Sequence, residues 1–212
     1  MSTEKPSGVV SVVTPAYFEE DNLPIMFDRL SVVFEQIGQD WEWLIVDDHS
    51  GDKTFEVAKS LAIKNHRVRV VRLSRNCGSH AAILCGVSHS RGDCVIVLSA
   101  DLQDPPSVLG DLISKWRDGD QIVWAVRKQR DSDGLISLFF SKIFYKILAK
   151  LDGLKETPAL GSDFFLIDTK VVDALSAIQE RNINVFALIQ WMGFRQSSIN
   201  YERQERMHGH SG

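Results

Sequence analysis

Cys94-Val95-Ile96-Val97-Leu98-Ser99-Ala100-Asp101-Leu102-Gln103-Asp104-Pro105-Pro106 is the stretch on which the fold turns. Five apolar residues and then an abrupt polar turn predict a strand buried on both faces. Pro106 opens a helix running to Arg117, with proline at its first turn. The same strand-turn-helix unit recurs upstream. Val9 to Val13 is a β-branched run ended by Thr14-Pro15, Trp41 to Val46 is closed by Asp47-Asp48, and Val68 to Leu73 is a third strand. Helices are expected between them over Asn22–Ile37, Lys53–Lys64 and Ser79–Ser90. The first carries Leu23, Met26, Phe27, Leu30, Val33, Phe34 and Ile37 at helical intervals. Gln121 to Val126 is a fifth strand. Such alternation predicts an α/β fold, a mostly parallel sheet with helices on both faces. Ligands then sit outside the carboxyl ends of the strands. Four polar clusters converge there: Thr14–Glu20, Asp47–Asp52, Ser74–Gly78 and Ser99–Asp104.

The chain has 212 residues, 44% hydrophobic and 25% charged, which excludes disordered and fibrous classes. One domain is expected over 1–212. Net charge is −4, so no basic field suggests a nucleic-acid partner. Three cysteines, with Cys77 and Cys85 on one expected helix and too far apart to bridge, predict reduced thiols and a cytosolic setting. The N-terminus lacks a signal-peptide core, and no run of ~18 apolar residues spans a membrane. After Arg127 the texture changes. Gly134–Leu151 is an amphipathic helix with a Lys142, Lys146, Lys150 stripe, suited either to a membrane interface or to a core with snorkelling lysines. Gly161–Ile167 reads as a strand, Lys170–Ile178 and Asn184–Met192 as helices, and Phe194–Tyr201 as a final strand.

Each cluster admits a chemical and a plain structural reading. Asp47 and Asp48 lack an obvious basic partner in sequence; they suit ribose or base hydrogen bonds, or else Asp48 or Ser50 caps the helix that starts near Lys53. Asp101 and Gln103 offer oxygen at i, i+2, as hard cations such as Mg²⁺ or Mn²⁺ require, or they form a turn before Pro105-Pro106. Arg75 and Gly78 at a helix start suit phosphate, or are a surface arginine and a structural glycine. Arg127, Lys128 and Arg130, and Arg203 and Arg206, are phosphate ligands or solvated charge. His208 and His210 lack a third metal ligand nearby.

With these clusters the sequence resembles family 2 glycosyltransferases of the GT-A, Rossmann-like fold, and within them the branch that glycosylates polyprenyl phosphates. The matching stretches are Val12–Glu20, Val46–Asp52, Leu73–Gly78, Ser99–Pro106, Ala125–Arg130, Gly161–Asp168 and the basic tail Arg203–Ser211. The resemblance implies inverting transfer from a nucleotide sugar, a UDP-sugar, to a polyprenyl phosphate. It implies a nucleotide-binding half over about 1–127 and an acceptor half over about 128–212. Pro15, Tyr17, Glu19, Asp47, Asp48, Arg75, Ser99, Ala100 and Asp101 would surround the nucleotide. Asp101 and Gln103 would hold Mg²⁺ or Mn²⁺. Arg127, Arg130, Arg203 and Arg206 would hold phosphates, and Asp163 would sit at the acceptor as a catalytic residue beside Arg127 and Asp101.

Three departures stand out. Phe18 replaces the family's usual Asn, Ser99 replaces a frequent Asp, and the chain stops at Gly212 where the branch often continues into membrane helices. A catalytic portion of a longer, membrane-anchored protein on the cytoplasmic face is therefore expected, working at the membrane surface, with a homo-oligomer open. A processive polysaccharide synthase acting on a sugar hydroxyl shares the fold, but its Q-x-x-R-W motif is absent. A non-catalytic nucleotide-binding module would explain Asp47-Asp48 but has no use for Asp101, Gln103 and Asp163.

Overall fold

A computed structural model describes residues 8–128, 162–178 and 184–203. Seven strands form one sheet: β1 Val10–Ala16, β2 Trp41–Asp47, β3 Val68–Arg72, β4 Cys94–Val97, β5 Ile122–Arg127, β6 Phe165–Asp168 and β7 Gln196–Tyr201. Among the described residues six helices accompany them: α1 Asn22–Ile37, α2 Thr54–Lys64, α3 Ser79–His89, α4 Leu109–Arg117, α5 Thr169–Ser176 and α6 Val185–Trp191. A short 3₁₀ turn, Pro106–Val108, leads into α4.

The sheet order is β3-β2-β1-β4-β6-β5-β7. β6 runs antiparallel to both β4 and β5, whereas the other pairs are parallel. Six strands therefore point one way and β6 points back. The chain moves outward from β1 through β2 to β3, then returns to place β4 on the other side of β1. The switch point between β1 and β4 is where an open α/β sheet leaves a crevice for ligands.

Strand alternation divides the core in two. Val10, Val12, Ile45 and Ile96 pack with Leu23, Met26, Leu30, Phe34 and Trp116 of α1 and α4. Val13, Leu44, Val46, Val95 and Val97 pack on the opposite face with Ile83 and Val87 of α3 and with Val171 and Ile189 of α5 and α6. This is the two-sided cover that continuous apolar strands require. Gly86 brings α3 down onto the sheet: a Cβ there would stand 2.3 Å from Val13 Cγ1.

Several boundaries differ from the sequence expectation. β1 continues through Thr14-Pro15 to Ala16. Val13 O accepts from Leu98 N on the β4 side and Ala16 O from Asp48 N on the β2 side. Pro15 thus faces the side that β4 has already left, so its missing N–H breaks no ladder bond. β6 begins at Phe165, which leaves Asp163 outside the strand. Cys77 precedes α3 instead of lying in it, and none of the three cysteines forms a disulfide. The expected helix over 134–151, with its lysine stripe, lies outside the described residues, as do Arg130, Arg206, His208 and His210. Among the described residues no helix is long and apolar enough to cross a membrane.

Candidate active site

The carboxyl edge is built by loops that brace one another. After β1, the Phe18 N–H donates to Ser50 Oγ at 3.1 Å and the Glu19 N–H to Thr54 Oγ1 at 2.8 Å. Glu19 is buried and its carboxylate accepts from Asn22 Nδ2 at 2.5 Å. It therefore ties the β1 loop to the start of α1. Pro15 is half-buried in β1, while Tyr17 and Phe18 are exposed, with rings edge to face at 4.5 Å between centroids.

The two acids after β2 have partners that sequence adjacency hides. Asp47 is fully buried; Oδ1 accepts from the Ser50 N–H at 3.1 Å, and Oδ2 stands 3.1 Å from Arg72 Nε. Arg72 is opposite Asp47 in the parallel β2/β3 register and also donates to Ser50 O at 2.8 Å. The expectation of no basic partner is thus corrected. Asp48 accepts from the N–H groups of Cys77 and Gly78 at 2.7 and 2.8 Å. Those N–H groups, at a helix start suited either to phosphate or to a plain structural turn, are engaged by a carboxylate. Asp48 closes the mouth of the α3 loop, and Arg75 stands exposed within that loop. Asp52, not Asp48 or Ser50, hydrogen-bonds the first turn of α2 through the Thr54 N–H at 3.0 Å.

Strained backbone gathers at the same edge. Among the described residues the non-glycine positions with positive φ are Phe18 at 59°, His49 at 60° and Leu102 at 60°. They follow β1, β2 and β4. Such conformations persist only where the surroundings over-determine them, and they concentrate at functional sites. Asn, which the family resemblance puts at position 18, tolerates this region better than Phe.

The centre of the edge is the loop after β4. Ser99 is half-buried and Ala100 buried. Asp101 retains 9% exposure, and its Oδ1 accepts from the Gln103 N–H at 3.1 Å. Arg203, just past β7, donates from one terminal nitrogen to Asp101 Oδ2 at 3.2 Å, with its Nε 3.6 Å from Asp104 Oδ1. The Tyr201 hydroxyl donates to the same Asp104 Oδ1 at 2.5 Å. Asp104 is fully buried and its Oδ2 has no hydrogen-bond partner among the described residues. Burial, with the charges of Asp163 and Asp101, pushes the Asp104 carboxyl up to about 6 against the pull of Tyr201 and Arg203. Burial and the Asp104 carboxylate push the Tyr201 phenol up as well.

The reversed β6 explains Asp163. Its amino end, not its carboxyl end, lies at this edge, so Asp163 just before it reaches the acid cluster while remaining exposed. Ser162 Oγ secures the turn by donating to Ala125 O of β5 and, at 3.1 Å, to Phe164 O. Arg127 ends β5, exposed and in register with Tyr201. Thus Asp101, Asp163 and Arg203 come together at the edge, Arg127 stands exposed on the same edge at the end of β5, Asp47, Asp48 and Glu19 serve as internal braces, and Arg75 lies on the rim. Sequence reasoning missed Arg72, Asp104 and Tyr201 as parts of this assembly.

Among the described residues no three His, Cys, Asp or Glu side chains cluster as a metal centre. A hard divalent ion does not need such a cluster, since one or two protein oxygens plus substrate phosphates and water suffice. Asp101 fits that role: its carboxylate already holds a cationic stand-in, the Arg203 guanidinium.

An open, two-sided α/β sheet with a switch point between β1 and β4 defines the class, a Rossmann-like protein, and sheets of this kind take their ligands at the carboxyl edge. Residues 11–175 match the family described as glycosyl transferase family 2, and the chain belongs to that family. An uncharacterized glycosyltransferase of Synechocystis is 38% identical over 94% of this chain and 63% of its own length. A prophage bactoprenol glucosyl transferase homolog of Escherichia coli is 32% identical over 94% of this chain and 65% of its own length. The chain thus spans less than two thirds of these curated relatives. The fold is GT-A. Glucosyl-3-phosphoglycerate synthase from Mycobacterium tuberculosis, solved with Mn²⁺, UDP and glucosyl-3-phosphoglycerate, superposes with a TM-score of 0.65 at 18% identity, over 98% of this chain and 75% of that one.

Proposed function

We propose that this chain transfers a sugar from a nucleotide sugar, a UDP-sugar, to a polyprenyl phosphate with inversion. The observation that carries the reading is the placement of Asp101, Asp163, Arg127 and Arg203 on one edge of the sheet, the edge that carries the carboxyl ends of the parallel strands, with Arg203 paired to Asp101. The bactoprenol relative supports the lipid acceptor.

In this reading the exposed Tyr17, with Pro15 behind it, receives the base. Asp47 and Asp48 keep that pocket in shape through Arg72, Cys77 and Gly78, and Ser99 and Ala100 line the diphosphate. Asp101 and Gln103 would hold Mg²⁺ or Mn²⁺, which when bound neutralises charge on the departing diphosphate. Arg127 and Arg203 bind phosphate oxygens, and Arg130 and Arg206, outside the described residues, are further candidates for the same role. A lipid phosphate is already anionic, so the nucleophile needs no base. The task of the arginines is to hold one anion against another. Asp163 orients the acceptor or sugar. Were the acceptor a hydroxyl, Asp163 would be the group to take its proton. A polyprenyl tail stays in the bilayer, so the chain works at the membrane surface, on the cytoplasmic face, as part of a longer protein.

Asp101→Asn tests the site. It removes the charge but keeps the size, so turnover should fall by orders of magnitude while the melting temperature changes by only a few degrees. Near-normal turnover of the variant, or of the parent in excess EDTA, would end the metal-site reading.

A further inference from the structure

Arg203 stands where a positive charge is needed, yet it is not a fixed part of the scaffold. It lies beyond Tyr201, the last residue of β7, so its movement breaks no ladder bond. Its side chain is 27% exposed, whereas the Asp101 and Asp104 side chains it faces are 12% and 0% exposed. One terminal guanidinium nitrogen meets Asp101 Oδ2 at 3.2 Å, while Nε meets Asp104 Oδ1 at 3.6 Å without a hydrogen bond. The buried carboxylate thus has a hydrogen-bond donor in Tyr201 and only a loose ion pair with Arg203.

We infer that Arg203 is the resident counter-cation of Asp101, and that a divalent ion arriving at Asp101 displaces it. The inference rests on the reading of Asp101 as a metal-holding residue. Its physical basis is a competition for one carboxylate. Asp101, Asp104 and Asp163 place up to three negative charges at this corner, and Arg203 supplies one positive charge from a flexible stem. A compact divalent ion supplies two and takes oxygen ligands directly. Without the ion, Arg203 prevents the acids from repelling one another. With it, Arg203 is released toward solvent on the same edge, where its planar fork can take a phosphate. Metal loading and the availability of a phosphate-binding guanidinium are thereby coupled in one exchange. Apparent metal affinity in the free chain is reduced by the fraction of Asp101 that Arg203 occupies.

The test is direct Mn²⁺ binding without nucleotide, read from the loss of the free-ion paramagnetic resonance signal. Arg203→Gln should bind Mn²⁺ roughly five- to ten-fold more tightly than the parent. Arg203→Lys, which keeps the charge, should remain within about two-fold of the parent. Asp101→Asn should abolish the site in either background. Thermal shift gives a second readout: Mn²⁺ should raise the melting temperature of Arg203→Gln more than that of the parent. Unchanged or weaker Mn²⁺ binding by Arg203→Gln, with Asp101→Asn still abolishing it, overturns the exchange and spares the metal site. Mn²⁺ binding that survives Asp101→Asn overturns the metal site itself.

Discussion

Tyr201→Phe isolates the hydrogen bond that joins the end of β7 to the loop after β4. The ring would keep its edge-to-face contact with Phe164, 5.5 Å between centroids, so only the hydroxyl is lost. That hydroxyl donates at 2.5 Å to a fully buried carboxylate whose other oxygen has no partner among the described residues. A hydrogen bond to a charged group contributes about 1.5–3 kcal/mol. We therefore expect a loss of about 2 kcal/mol, or a fall of about 4–8 °C in melting temperature at this chain length. The effect must also depend on pH. Asp104 has its carboxyl raised to about 6, and Tyr201 pulls it downward by favouring the ionised form. Removing Tyr201 raises it further. The deficit should be full where both carboxyls are ionised, above the variant's still higher value, and should shrink as pH falls from there through about 6, below which both proteins hold the proton. Urea unfolding followed by tryptophan fluorescence, in EDTA at pH 8 and pH 5, measures both quantities. A deficit below about 0.5 kcal/mol at pH 8, or one equal at the two pH values, would show that the hydroxyl does not stabilise the ionised Asp104 carboxylate.

Gly86→Ala should destabilise the fold by about 1–3 kcal/mol, because the new methyl meets Val13 Cγ1 at 2.3 Å and Val46 Cγ2 at 3.1 Å. Pairing it with Val13→Ala should cost less than the sum of the two single changes in denaturant titration. Glu42 tests the opposite edge of the sheet. Burial pushes its carboxyl up, but donors from Ser11, the Arg91 N–H and Arg69 outweigh that and hold it below the usual 4.5. Its contribution is therefore present above pH 4.5 and lost as pH falls through the lowered value. The stability gap between the parent and Glu42→Gln should narrow from pH 7 to pH 3.

The strand-helix alternation was legible because strands buried on both faces are nearly continuous apolar runs, as in Val95–Leu98. So was the convergence of polar clusters, since parallel strands put their carboxyl ends on one edge. The reversal of β6 was not legible: Phe164–Ile167 is equally apolar in either direction, and only its pairing with β4 and β5 fixes its sense. Arg72 became a partner of Asp47 through the β2/β3 register, a relation across 25 residues that no local motif carries. Tyr201 and Asp104 are 97 residues apart, and their bond depends on the placement of both β7 and the β4 loop. A Tyr closing the last strand beside Arg203 was the one available signal. Asp101 was readable because its chemistry lies within a six-residue turn, whereas its counter-cation came from the far end of the described chain.

The most direct measurement is the product formed when the protein is given labelled UDP-sugars, Mg²⁺ or Mn²⁺, and either undecaprenyl phosphate or the corresponding polyprenol in detergent. Label should pass to the lipid phosphate, with inverted anomeric configuration and release of the nucleoside diphosphate, and none should pass to the polyprenol. Transfer to a sugar hydroxyl with no lipid-phosphate product, or hydrolysis alone, would contradict the proposed transfer to a lipid phosphate.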